Sequence, residues 1–140
     1  MSWENVFSYF SQKLESVGCS EWVVPFDEEN IPSSLIDKSF IQSVVNITGD
    51  NMTNQALETI ISHEVRIFYK GFRDPRNAEK EALAKASEAV KACVSHVAQG
   101  GDFKGVYFTD LSLEPLSDDI NDNVVVAIIR FDVRMFLCIE

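Results

Sequence analysis

Val124 to Ile139, VVVAIIRFDVRMFLCI, is sixteen residues of strand pattern unbroken by Gly or Pro. Its odd positions (Val125, Ala127, Ile129, Phe131, Val133, Met135, Leu137, Ile139) are all apolar. Its even positions begin apolar (Val124, Val126, Ile128), turn charged (Arg130, Asp132, Arg134) and become apolar again (Phe136, Cys138). Side chains of a strand point alternately to opposite faces, so a period of two marks a strand that buries one of them. At roughly 3.3 Å per residue the stretch reaches about 50 Å, whereas ordinary strands run to about 5–6 residues. A chain of 140 residues has trouble covering both faces at both ends of such a strand, so the pattern suggests another chain over part of it.

The same alternation recurs upstream. Leu57 to Lys70 carries Leu57, Ile61, Val65, Ile67 and Tyr69 on one face, and Ser39 to Thr48 precedes it across the polar segment Gly49 to Asn54, so the two read as an extended hairpin. Glu21 to Phe26 reads as a short strand that Pro25 confines to an edge or to its own end. Gly105 to Leu113 is a further strand, joined to the last by an acidic turn, Glu114 to Asn123. Two helices complete the pattern. Ser2 can cap one that runs to about Val17, with an apolar stripe of Trp3, Val6, Phe7, Phe10, Leu14 and Val17 and with Gly18 as its C-terminal cap. Asp74 and Pro75 suit the start of a second, which runs to about Ala98 before Gly100 and Gly101, with Leu83, Ala86, Val90, Cys93, Val94 and Val97 on one side. Its many alanines favour helix and close packing, and Glu81 and Lys85 form an i,i+4 pair on its exposed side. The order α-β-β-β-α-β-β predicts one α+β domain over 1–140, with a mixed or antiparallel sheet of about five strands and two helices packed on one face.

Composition narrows the function. Apolar residues make up 46% and charged residues 24%, which is globular rather than disordered. A net charge of −10 disfavours both sequence-independent nucleic-acid binding and attraction to anionic membranes. No apolar run approaches the length of a membrane helix, and the N-terminal residues lack the pattern of a signal peptide. Cys19, Cys93 and Cys138 are far apart and odd in number, so reduced thiols are expected rather than a disulfide framework or a zinc site.

No constellation calls for catalysis, a cofactor or a metal. Asp119, Asn121 and Asn123 resemble the opening of a calcium loop, but Val124 stands where the turn glycine belongs and Arg130 where the bidentate Glu belongs. His63 and His96 lack neighbours at ligand spacing, and Cys93 falls on an apolar helix stripe, where inert thiols are common. Nucleotide-binding, hydrolase and zinc-protease motifs are missing.

Assembly therefore leads. Lys70, Arg73, Arg76 and Lys80 form a slight basic cluster that either solvates a helix entry or meets an acidic loop (Asp27 to Glu29, or Asp118, Asp119 and Asp122) of a neighbouring copy. Arg130, Asp132 and Arg134 form a charged ladder that either discourages aggregation or pairs with a neighbour. Phe136 to Ile139 is apolar on both faces, so either the centre of the sheet or a partner holds it. The candidate interface residues are Arg73, Arg76, Arg130, Asp132, Arg134, Phe136, Leu137 and Ile139.

With these elements the chain resembles the tail terminator (tail completion) proteins of long-tailed bacteriophages, the minor tail protein U type. The resemblance runs through the N-terminal helix, Val23-Val24-Pro25-Phe26-Asp27, Ser39 to Thr48, His63 to Tyr69, the Asp74 to Ala98 helix and Ile129 to Met135. It is architectural, and no individual functional residue is carried over from it. It implies a non-enzymatic virion protein, made in the host cytoplasm, that caps the tail tube as a homo-hexameric ring. The implied partners are further copies, the tail tube protein and a head-completion or connector protein, with DNA passing through the ring without specific binding and no membrane involved. Another head–tail connector or neck protein stays open, as does a small cytosolic ligand-binding or enzymatic α+β domain.

Overall fold

The computed structural model describes residues 3–22, 37–52, 56–70, 77–95, 103–118 and 121–138. Along the chain come α1 (Asn5–Glu15), β1 (Ser20–Glu21), β2 (Ser39–Met52), β3 (Ala56–Tyr69), α2 (Ala78–Cys93), β4 (Phe103–Asp118) and β5 (Asn121–Cys138). The strands form one five-stranded sheet in the order β1-β2-β3-β5-β4. The β1–β2 pair is parallel and every other pair antiparallel. This is the α+β fold expected from the element order.

The closing strand is interior. β5 lies between β3 and β4, paired with β3 from Tyr69↔Val125 to Ala56↔Cys138 and with β4 from Asp118↔Asn121 to Phe103↔Met135. Its length is matched by its neighbours, so it does not by itself call for a second chain. At the end of the strand Phe136 and Leu137 pair with Glu58 and Leu57 of β3, while the ladder with β4 ends at Met135. Ile139 lies outside the described residues.

Three boundaries differ from expectation for one reason: strand pairing carries polar residues along with it. β2 continues to Met52, with Gly49↔Thr59, Asn51↔Glu58 and Met52↔Leu57 in register, so most of the expected polar turn is strand. β4 continues to Asp118 because Glu114, Pro115 and Leu116 pair with Val126, Val125 and Val124, so the acidic turn is much shorter than its composition implies. Asn121 and Asn123 consequently belong to β5. β1 holds only Ser20 and Glu21, one residue earlier than the expected strand, whose remainder beyond Trp22 lies outside the described residues.

Both helices pack on the face formed by the odd residues of β5. Val6, Phe10 and Leu14 of α1 and Ala78, Ala82, Ala86, Ala89 and Cys93 of α2 share one core with Ile61, Val65, Ile67, Tyr69, Ile129, Phe131, Val133 and Met135. Each large apolar side chain buried in this way contributes about 1.5–3 kcal/mol relative to exposure. α1 ends in a Schellman motif, with Gly18 at φ +87° and the Cys19 and Gly18 amides donating to the Leu14 and Glu15 carbonyls at 3.0 and 3.1 Å. Ser2, Asp74, Pro75, Gly100 and Gly101 lie outside the described residues. Glu4 and Asn77 occupy the N-cap positions without side-chain capping bonds.

α2 corrects two expectations. It stops at Cys93, where Val94 turns extended and Ser95 exchanges two backbone hydrogen bonds with Val106 at 2.9 and 2.7 Å. At Val94 and Ser95 a ladder partner thus replaces the helix, and the rest of the expected helix, 96–98, lies outside the described residues. Its buried stripe is also alanine rather than leucine, with Leu83 half exposed. Small side chains bring α2 close, and the Tyr9 hydroxyl donates to the Cys93 carbonyl at 2.7 Å, tying the two helices together.

Candidate assembly surface

The sheet face opposite the helices carries the predicted charged ladder. At one end Phe68, Val124, Val126 and Ile128 form a small apolar cluster joined by Trp22 and Ile41. Beyond it the even residues of β5 turn polar. Arg130 stands in register between Glu64 of β3 and Asp110 of β4, and its Nε donates to Glu64 Oε1 at 3.3 Å. Arg66 Nε donates to the other oxygen, Glu64 Oε2, at 3.1 Å. A buried carboxylate between two guanidinium groups is the arrangement that offsets the desolvation of the charge. Asp132 sits between Ser62 and Tyr107, and the Arg134 guanidinium lies 5.8 Å from the Tyr107 ring centre. Lys104 Nζ donates to Glu58 Oε1 at 2.7 Å and lies 4.8 Å from the Phe136 ring centre.

Four predicted interface residues, Arg130, Asp132, Arg134 and Phe136, therefore share one face, with contacts inside their own sheet. Leu137 points to the helix side, opposite Leu57. Arg73 and Arg76 lie outside the described residues, as do the loop Asp27 to Glu29, Asp119 and His96. Of the expected basic cluster, Lys80 is exposed and the Lys70 amide donates to Asp37 Oδ1 at 2.9 Å. Lys85, expected beside Glu81, reaches Asp37 Oδ2 at 3.5 Å.

The two ends of the sheet carry a signal missed in the sequence. β1 pairs with β2 only at Ser39 and Phe40, so from Ile41 on the outer side of β2 has no strand neighbour among the described residues. Ser43 to Gly49 is exposed throughout, including Val44, Val45 and Ile47, and half-exposed Phe7 lies on the neighbouring helix. At the other end the outer side of β4 is bridged at Val106 by Ser95, and Phe108 beyond it is exposed. Strand periodicity could place these residues on a face, but not at an edge.

His63 and Cys93, the chemically notable side chains, are enclosed. The His63 ring is 0% exposed, stacks on Phe10 at 4.5 Å and meets the edge of Phe7 at 5.1 Å. Gln42 Nε2 donates to the Phe7 carbonyl and to Ser11 Oγ, which leaves Oε1 to accept from His63 Nε2 at 2.8 Å. Nδ1 then carries a buried lone pair without a hydrogen-bond partner. Burial pushes the pKa of this ring down from 6.5 to about 4. Burial also raises the Cys93 and Cys19 thiols, to about 12 and about 11, so both are protonated, weak nucleophiles at neutral pH. Among the described residues no group of His, Cys, Asp or Glu is arranged to hold a metal ion. No helix among them is long and apolar enough to cross a membrane. Comparison with known proteins adds no relative, since no protein-family model and no curated protein matches the chain.

Proposed function

We propose that this chain is a structural subunit that assembles with copies of itself into a ring, of the kind that caps the tail tube of long-tailed bacteriophages. The observation that carries the reading is the pair of sheet edges that have no strand neighbour among the described residues beyond Phe40 of β2 and Val106 of β4, with Val44, Val45 and Ile47 exposed on β2 and Phe108 on β4. Different surfaces at opposite ends of one subunit suit head-to-tail contacts, and these close into rings when the rotation between copies permits. The enclosed His63, Cys93 and Cys19 favour a protein that works through its surfaces rather than through a reactive side chain. The net charge of −10 suits a lumen through which DNA passes without adhering.

In this role the ring ends polymerisation of the tube protein and offers its other side to a head-completion protein. Electron micrographs and solution mass of the purified chain test the reading: rings are expected. A chain that stays monomeric at all concentrations, with tube protein present as well, would sink it. Phage lacking the protein distinguish the terminator from another connector. Overlong tails mark a terminator, and normal tails that fail to join heads mark a connector.

A further inference from the structure

We infer that the outer edge of β2 in one copy pairs, antiparallel, with the outer edge of β4 in the next copy, so that one sheet continues from subunit to subunit. The inference rests on the proposal of an assembling subunit and says which surfaces meet. The β2 edge runs from Ile41 to Met52, and the usable β4 edge beyond the Ser95 bridge is the shorter of the two, so β4 sets the extent of the pairing. Edge strands expose a row of amide and carbonyl groups ready to pair, and proteins that avoid pairing place charges or Pro there. Residues 41–49 of β2 hold neither, and the charges on the β4 edge, Asp110 and Glu114, therefore meet no like charge there. Pro115 limits the usable part of β4 to its 107–114 portion.

Register supplies the decisive fact. Val44 pairs with His63, His63 with Phe131, and Phe131 with Phe108, so Val44 and Phe108 are the two ends of a single row across the sheet. Both lie on the helix face, exposed by 38% and 47%. A second copy set beside the first, about 4.8 Å from strand to strand, brings Phe108 of one against Val44 of the other. Direction agrees as well. From β2 through β3 and β5 to β4 each strand reverses, so a following β2 in the same orientation is antiparallel to β4, with its helices on the same side.

Self-paired edges fit less well. Two β4 edges would bring the carboxylates of Asp110 and Glu114 towards their own copies, and like charges across strands are destabilising. Two β2 edges would leave Phe108 uncovered.

Mixing two variants of the full chain tests the pairing, with mass read by sedimentation and native mass spectrometry. Val44→Asp charges one edge and Phe108→Asp the other, with the same sign so that the two altered edges repel each other in a mixture. Each variant alone should fall to the mass of one subunit. An equimolar mixture should recover a species of two subunits, one of each kind, because each variant keeps the edge that the other has lost. Phe108→Asp forming dimers alone would replace the proposal by β2–β2 pairing, and Val44→Asp forming dimers alone by β4–β4 pairing. An unmodified oligomer whose mass survives both changes overturns the edge pairing but leaves the assembling subunit. An unmodified chain that is monomeric throughout overturns both. If either variant fails to fold, amide hydrogen exchange of the unmodified chain decides the matter. Protection at residues 41–48 and 107–114 that grows with concentration is expected, and its absence at either edge overturns the pairing.

Discussion

Acid should loosen this fold through His63 before any carboxylate of the core is considered. The neutral ring is held between Phe7, Phe10 and Gln42, with Val44 and Phe131 beside it in the sheet, and none of these is charged. Protonation would place an N–H at Nδ1, where no acceptor waits. Between pH 6.5 and about 4 the unfolded chain binds this proton and the folded one does not. Stability therefore rises with pH across that window and is flat in this contribution above it and below it. At about 1.4 kcal/mol for each pH unit, a window of about 2.5 units removes about 3 kcal/mol on going from neutral to pH 4. Urea denaturation at low protein concentration, followed by the fluorescence of Trp3 and Trp22, measures the loss. His63→Gln keeps a polar group of similar reach but does not titrate, so the pH dependence of the variant subtracts every other group. The unmodified chain should lose about 3 kcal/mol more than the variant between pH 7 and pH 4. Parallel profiles for the two would refute the enclosed neutral histidine.

The orientation of α2 makes an opposite pair of predictions. Ala86→Leu forces extra volume into the layer between helix and sheet and should cost about 1–3 kcal/mol, whereas Leu83→Ala at an exposed position should cost well under about 1 kcal/mol. A larger penalty for Leu83→Ala than for Ala86→Leu in thermal melts would mean that the helix presents its other face. Glu64→Gln removes the charge between Arg66 and Arg130 and should lower stability by roughly 1–2 kcal/mol, discounted for the half-exposed Arg130. An unchanged urea midpoint would show that the carboxylate is not engaged.

The legible parts of the fold were those with a strong local period. Val6, Phe10 and Leu14 of the α1 stripe, Ile61, Val65, Ile67 and Tyr69 of β3 and the odd residues of β5 from Val125 to Met135 sit in the core as their spacing required, whereas Phe7 of the same stripe is exposed and Leu57 and Leu137 are only partly buried. Gly18 reads as a helix end because a residue at φ +87° favours glycine. The errors fell where pairing overrides composition. Polar Gly49 to Met52 and acidic Glu114 to Asp118 look like turns, yet the first continues a ladder with Thr59, Glu58 and Leu57, and in the second Glu114 to Leu116 pair with Val126, Val125 and Val124. The α2 stripe misled for a different reason: alanine counts little in an apolar period, but only a small side chain lets a helix approach a sheet closely.

The candidate assembly surface was less legible than the fold. The charged ladder at Arg130, Asp132 and Arg134 could be seen as a face, although its partners Glu64 and Tyr107 come from strands distant in the chain. Val44 and Phe108 carry no mark that sets them apart from other strand residues. The composition and periods of the chain were enough to specify its elements, its charge and its lack of a catalytic motif, because these are properties of near neighbours. Which strand is interior and which is an edge depends on the order of strands across the sheet. That order arises from contacts between residues far apart in the chain, and so the long closing strand came to lie at the centre while Val44 and Phe108 came to stand at opposite rims of a single row.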